Sequence, residues 1–402
     1  MQKTNVKITL GEPVVVSQAP LGTRTWGLWQ FPAIQRAPDG RLQIGYQIAA
    51  DSTTTYGIPP GLAVSDDDGN SWREDQAGEN APSWTSKTLV LPNGDLLCQV
   101  PLRSRKVAEI QEKLPPSLTS LAGSYGAKTV LYLAEKMPKE LAGWRFARLA
   151  KGTGTWVEET AQVNIPGEVR GVTSEGSDAT GGVLVFPWIH RIKIGPDGSL
   201  WGYSHSLRMV DGSLQKKLVV QFLHSRDSGR TWDLLNEIPY QPDPSADPLW
   251  DKREGFTEPE IVFLPDRSIL CLMRTTDGNG IGPLYASRST DNGKTWSKPT
   301  VFDDLGVWPV LLNLENGLTL ASYGRPGFYI RATNDAAGRS WGPRITVVNP
   351  GQVYADTCSY SDLIALDRQT ALVVYSDFNY PDHQGKPRKT ILVRKIKCLM
   401  EK

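Results

Sequence analysis

The sequence predicts an all-β protein built as a six-bladed β-propeller of four-stranded antiparallel blades, and two interleaved repeats carry that prediction. The first is a Pro/Asp/Asn/Gly turn followed by an apolar strand: APDGRLQIGY at 37, LPNGDLLCQV at 91, GPDGSLWGYS at 195, LPDRSILCLM at 264, LENGLTLASY at 314 and LDRQTALVVY at 366. Each follows another strand-like run, such as FPAIQR, KTLVL, EIVFL or YSDLIAL. Asp-Gly or Asn-Gly between two such runs closes a hairpin, because glycine accepts the positive φ that these turns need. The second repeat is Ser-x-Asp-x-Gly-x-x-Trp: SDDDGNSW at 65, SRDSGRTW at 225 and STDNGKTW at 289, with TNDAAGRSW at 333 one residue longer. Here the Asp accepts hydrogen bonds from its own turn, Gly takes the strained position and Trp anchors the turn in the sheet. Radial repetition of small sheets protects strand edges, which is the propeller solution.

The blades are expected at 26–75, 83–160, 167–235, 255–300, 306–345 and 353–398, within a single domain spanning 1–402. The stretch VKITLGEPVVV is expected to complete the last sheet and close the ring. Blades two and three are long, and the insertion RSRKVAEIQEKLPPSLTSLAGSYG reads as a rim loop or lid with a short helix.

Composition narrows the functional classes. Of 402 residues, 44 are Lys or Arg and 43 Asp or Glu, a formal charge of +1, which gives no electrostatic case for nucleic acid or an anionic membrane as partner. No run of about 18 uncharged apolar residues predicts a membrane span. The start lacks a signal-peptide core, so the expected location is cytoplasmic, although a secreted chain with its leader removed reads the same. Cys98, Cys271, Cys358 and Cys398 are scattered without a CxxC pair and read as buried free thiols. With no HExxH motif or His/Cys cluster, no cofactor or catalytic metal is expected, and a structural calcium on the rim stays open. Oligomeric state is not encoded in any visible pattern.

Hairpin geometry collects the candidate site. The start of a hairpin's first strand and the end of its second share one edge. That rule brings to one mouth Gln30 and Asp51 of blade one, Lys87, Arg103 and Arg105 of blade two, and His190 and His205 of blade three. Glu258 and Arg274 follow from blade four, Trp308 and Arg325 from blade five, and Tyr360 and Asp377 from blade six. Trp26, Trp29, Trp84, Trp188 and Trp308 near the mouth suit sugar stacking.

The Ser-x-Asp-x-Gly-x-x-Trp turns resemble the Asp boxes of the sialidase superfamily, and the resemblance extends over nearly the whole chain. In TEPEIVFLPDRSILCLMR, the spacing of Glu258, Asp266 and Arg274 is similar to the family's fourth-blade motif. SYSDLIALD resembles its Tyr-Ser motif, with Tyr360 at the nucleophile position, and Arg325 in LASYGRPGFYI is similar to the third arginine of its carboxylate-binding triad. Asp51, in YQIAADSTTTYG, falls where the family keeps its general acid, with looser spacing. The resemblance implies a retaining exo-glycosidase that hydrolyses a terminal anionic sugar from a glycan. Tyr360 would be the nucleophile, Glu258 its base and a protonated Asp51 the acid, with Arg274 and Arg325 holding an anionic group. Burial and a nearby Glu are expected to raise the pKa of Asp51.

The chain departs from the family at WQFP, where Gln30 occupies the position of the first triad arginine; Arg24, Arg36, Arg103 and Arg105 are the alternatives to replace it. Losing one bidentate partner costs on the order of a few kcal/mol of carboxylate binding. Sialic acid, a related ulosonic acid, a uronic acid or another acidic sugar therefore all stay open as substrates. Two other classes compete. A propeller polysaccharide lyase would use His190 or His205 to abstract the proton beside a uronate and would give an ultraviolet-absorbing product. A non-catalytic glycan-binding propeller would keep its affinity in Tyr360→Phe and Asp51→Asn variants.

Overall fold

The computed structural model describes residues 6–52, 55–75, 87–100, 103–122, 128–174, 182–185, 189–276 and 281–400. The architecture is all-β and of propeller type. Trp84 and Trp188 lie outside the described residues. Strand pairing among the described residues gives six antiparallel four-stranded sets. The first comprises Gln30–Arg36, Leu42–Gln47, Gly61–Ser65 and Arg73–Asp75. The second comprises Leu89–Val90, Leu96–Gln99, Trp144–Leu149 and Trp156–Asn164. The third comprises Arg191–Ile194, Leu200–Val210, Ser213–Ser225 and Thr231–Ile238. The fourth runs from Gly255–Phe263 through Ile269–Thr276 and Leu284–Ser289 to Thr300–Asp303. The fifth runs from Val307–Asn313 through Thr319–Gly324 and Phe328–Thr333 to Ile345–Val348.

The sixth set is completed from the other end of the chain. Ser361–Ala365, Thr370–Pro381 and Pro387–Met400 pair in sequence, and Val6–Leu10 adds the outer edge. The N-terminal stretch is two strands rather than one: Val14–Gln18 also pairs with Pro387–Met400, after a break at Gly11.

Apolar contacts between neighbouring sets are cyclic. Leu62 packs with Cys98 and Ala147, and Leu97 and Phe146 pack with Leu200 and Leu223. Tyr203 and Phe222 share a cluster with Ile261 and Tyr285, and Leu270 and Leu284 share one with Leu311 and Tyr323. Leu320 and Phe328 meet Val373 and Leu392, and Ile34 and Ile44 meet Leu372 and Val374, which joins the last set to the first. All four cysteines are buried and free.

The third set begins at Arg191, not near 167. Glu168–Ser174 pairs with Lys128–Leu133 and Val183–Val185, and the last of these pairs with Ser104–Lys106. The two insertions thus form an accessory sheet, joined to the third set where Glu168 and Val169 pair with Arg208 and Leu207, and covered by the short helix Val107–Ile110 and by Lys139–Ala142, with Ile110, Met137, Leu141, Val172 and Leu184 as its small core.

The Trp-terminated turns have one bonding scheme. Asp67 Oδ1 accepts from Ser65 Oγ at 2.8 Å and from the Ser71 N–H at 2.9 Å, and Gly69 N–H donates to Ser65 Oγ at 2.9 Å. Asp227 and Asp291 repeat this with Ser225 and Thr231, and with Ser289 and Thr295. The Ser71 and Thr295 side chains and backbone donate to Asp67 and Asp291 and lower their pKa values to about 2. Each tryptophan reaches the preceding set: Trp232 to Trp144 (5.4 Å), Trp296 to Phe222 (4.2 Å, stacked) and Trp341 to Phe302 (5.2 Å).

Trp232 is fully buried. Trp232→Ala is expected to lower the unfolding free energy by about 3–5 kcal/mol, read from the midpoint of urea denaturation.

Candidate active site

Three innermost strands are interrupted at the same end. The pairing register slips between Gln30 and Ala33, between Thr257 and Glu260 and between Val307 and Val310. Each slip holds a non-glycine residue at positive φ followed by proline: Phe31 (53°), Glu258 (45°) and Trp308 (47°). Proline has no N–H to give the ladder, so a bulge is the natural place for it. Left-handed backbone at such residues costs of order 1–3 kcal/mol each. The consequence is common to all three: Phe31, Glu258 and Trp308 line a cleft, while Gln30, Thr257 and Val307 are buried behind it. On the sixth set, Ser359 (64°) makes the equivalent bend just before Tyr360.

The cleft has a volume of about 850 Å³. At its centre the Tyr360 hydroxyl donates to Glu258 Oε1. Arg274 Nη1 donates to the same oxygen at 2.6 Å and lies 3.3 Å from the Tyr360 hydroxyl. Glu258 Oε2 accepts the Trp308 N–H at 3.0 Å, and the Glu258 N–H reaches His205 Nδ1 at 3.4 Å, which makes that nitrogen an acceptor. The Tyr360 ring stacks on Trp308 at 4.3 Å and 14°, with Phe31 edge-on at 4.9 Å.

Protonation follows from these contacts. Burial pushes the Glu258 carboxyl up, but Arg274, the Tyr360 hydroxyl and Arg325 together bring it below its ordinary 4.5, so Glu258 is ionised at neutral pH. Burial first and then the Glu258 charge push the Tyr360 phenol well above 10, so it is neutral. The site is a neutral phenol hydrogen-bonded to a carboxylate that a buried guanidinium keeps charged. Burial holds His190 well below 6.5 and His205 down to about 4, so both rings are neutral.

Arg325 approaches from the other side. Its Nη2 donates to the Cys358 carbonyl at 2.8 Å, and its guanidinium carbon lies 4.8 Å from the Tyr354 ring, 5.6 Å from Trp26 and 5.7 Å from Tyr360. Its Nε has no hydrogen-bond partner among the described residues. Trp26 Nε1 donates to Asp51 Oδ2 at 3.2 Å. Asp51 lines the cleft but is exposed, not buried as its sequence position suggested. His190 lines the wall and packs on Trp308 at 4.5 Å.

Not all the expected residues meet here. Gln30 is fully buried and its amide has no hydrogen-bond partner among the described residues, because the bulge gives its place at the cleft to Phe31. Arg103 is held on the surface by a bidentate pair with Glu158 at 2.6 and 3.1 Å. Arg105 faces Glu109 at 3.9 Å on the accessory sheet, and Asp377 caps the Asn379 N–H at 2.8 Å. Neither they nor Arg103 lines the cleft. Sequence reasoning missed Phe31, Tyr354 and a deeper charged group of Arg191, Lys193, Glu260 and Asp362. Glu260 and Asp362 lie two residues after Glu258 and Tyr360 in the sequence, and both line the cleft.

A family model described as a BNR repeat-like domain matches residues 128–373. No curated protein sequence matches the chain. Among solved structures, the chain is similar to a protein of unknown function from Dyadobacter fermentans DSM 18053 at 19% identity and a TM-score of 0.65, over 97% of this chain and 99% of that one. It is similar to a Hadza microbial sialidase at 16% identity and a TM-score of 0.50, over 92% of this chain and 65% of that one. A Penicillium chrysogenum α-L-arabinanase complexed with arabinobiose aligns at 14% identity and a TM-score of 0.51, over 96% and 98%. At such identities the likeness establishes the fold.

The burial of Gln30 has a direct consequence. Gln30→Arg is expected to destabilise the protein by on the order of 3 kcal/mol or more, since it buries an unpaired cation. It should leave the affinity for sugar carboxylates unraised; thermal unfolding and calorimetric titration with a uronic acid check the two halves.

Proposed function

The chain belongs to the BNR repeat-like family, and from that premise we propose that it is a retaining glycoside hydrolase that removes a terminal anionic sugar from glycans. The observation that carries the reading is the shared hydrogen bonding of Tyr360, Glu258 and Arg274. Phenols are weak nucleophiles at neutral pH and need a base at the moment of attack. As the Tyr360 oxygen bonds to the anomeric carbon, its proton passes to Glu258. The glycosidic C–O bond breaks, and Asp51 protonates the departing oxygen. In the second half, water attacks the anomeric carbon, Asp51 takes its proton, and Tyr360 leaves with the proton returned by Glu258.

The surroundings support these roles. Arg274 stabilises both the Glu258 carboxylate and the negative charge that grows on the Tyr360 oxygen. Arg325, whose guanidinium lines the cleft beside Tyr360, is the contact for a substrate carboxylate. Phe31, Trp308 and Trp26 supply aromatic surface for the sugar ring. With Phe31 where a further cation was expected, the favoured substrates are ulosonic or uronic acids that need few direct arginine contacts. The lyase alternative is disfavoured by its bases. His190 is buried and His205 half-buried, and both resist protonation and offer little driving force for removing a carbon-bound proton.

Aryl glycosides of sialic, related ulosonic and uronic acids are the assay. Turnover of one of them is expected in the wild type, with a loss on the order of 10³-fold or more in Tyr360→Phe; absence of turnover on all of them would overturn the reading. The pH profile is a second check. Because Glu258 must be ionised and its pKa is depressed, kcat/KM should hold down to pH 4.5 and fall only below it. Arg274→Met removes the cation that depresses that pKa and should move the acid limb upward by about 1–3 units.

A further inference from the structure

Glu260 and Asp362 follow Glu258 and Tyr360 by two residues and line the same cleft. Both are buried, and both line the lower part of the cleft. Arg191 spans them, with Nη1 3.0 Å from Asp362 Oδ1 and Nε 3.4 Å from Glu260 Oε2. Lys193 Nζ lies 2.6 Å from Glu260 Oε1, and the Tyr203 hydroxyl donates to Glu260 Oε2 at 2.8 Å. Lys87 Nζ lies 2.9 Å from Asp362 Oδ1, and Asp362 Oδ2 accepts the Ile34 N–H at 3.1 Å. Lys87, Arg191 and Lys193 thus share two carboxylates, which leaves one positive charge in excess in an enclosed polar site.

The three cations are not equivalent. Lys193, besides its ion pair with Glu260, donates to the Ile261 carbonyl at 2.5 Å and the Leu311 carbonyl at 3.4 Å, which hold it away from the open cleft. Lys87 is paired with Asp362, donates to the Leu363 carbonyl at 3.2 Å and makes no further hydrogen bond among the described residues; its side chain is 38% exposed and lines the cleft. Arg191 Nη2 makes no hydrogen bond among the described residues, and the guanidinium lies 5.7 Å from the Trp308 ring. Lys87 and Arg191 converge on one carboxylate oxygen, so their nitrogens are near neighbours. One small anion in the cleft can touch both, and it would balance a charge that is costly to leave unpaired.

We propose that Lys87 and Arg191 form an anion-binding site at the floor of the cleft, below the Tyr360–Glu258 pair, that takes a single carboxylate or sulfate group. The group is either free in solution or carried on a sugar. The site stands on its own geometry and does not depend on the hydrolase assignment.

Isothermal titration of sodium sulfate into the full chain in a low-salt zwitterionic buffer tests it. Saturable binding is expected in the wild type, at least tenfold weaker in Lys87→Met and unchanged in Lys216→Met, which removes an exposed lysine on another strand. Circular dichroism melting verifies that both variants fold. Absence of saturable heat, equal affinity in Lys87→Met and wild type, or equal weakening in Lys216→Met would each overturn the site. Titration in the presence of glucuronate separates the sources: competition identifies a sugar-borne carboxylate as occupant, and additive binding identifies a free ion.

Discussion

The site is organised around one carboxylate. Glu258 is buried among aromatic rings, where desolvation alone would favour its neutral form, and Arg274 reverses that preference from 2.6 Å. The pair is worth little as a stabiliser, since taking two charges out of water offsets much of their attraction. Its value lies in the state it enforces. A carboxylate that stays charged can hold the Tyr360 hydroxyl as an acceptor, and a phenol so held stays protonated until something draws electrons from its oxygen. Trp308 orients two of these groups. The Trp308 N–H fixes the second carboxylate oxygen, and the Trp308 ring fixes the plane of Tyr360.

Those orientations depend on backbone that the sheet alone would not adopt. A regular innermost strand would alternate its side chains between the two faces, and Glu258 would be one of several residues packed against the neighbouring sheet. The left-handed residue and the proline after it break that alternation in three sets at the same height. The strain is local and is borne by a ring whose six apolar clusters each join two sheets, so no single sheet can relax without disturbing its neighbours.

Much of this was legible in the sequence. The two repeats gave the hairpins and turns because both rest on local chemistry, glycine at positive φ and an aspartate bonded within its own loop. The convergence of Glu258, Arg274, Arg325, Trp308 and Tyr360 followed from hairpin geometry, which is also local. What failed was long-range or register-dependent. Gln30 was aligned with a cleft position by counting residues, and a bulge shifts that count by one, which exchanges the buried face for the open one. The proline after Phe31 was the available warning, since Glu258 and Trp308 also precede prolines. Glu168–Ser174 was assigned to the ring because it reads as a strand; only its partners Lys128–Leu133 and Val183–Val185 reveal the accessory sheet. Arg103 was a plausible mouth cation until Glu158, on a different strand, captured it.

Glu260 and Asp362, two residues beyond Glu258 and Tyr360, line the same cleft, and the two tiers differ in their balance of charge. In the upper tier one carboxylate is served by a guanidinium, a phenol and an amide, so its lone pairs are engaged and the protein supplies the acceptor that chemistry needs. In the lower tier two carboxylates are outnumbered by Lys87, Arg191 and Lys193, so the excess charge is positive. Trp308 joins the tiers, with Tyr360 stacked on its ring and the Arg191 guanidinium 5.7 Å from the ring centre. An anion drawn to the floor would therefore pull on a cation that touches the platform beneath the phenol. The channel's charge pattern and the geometry of the Tyr360–Glu258–Arg274 group are parts of one packed unit.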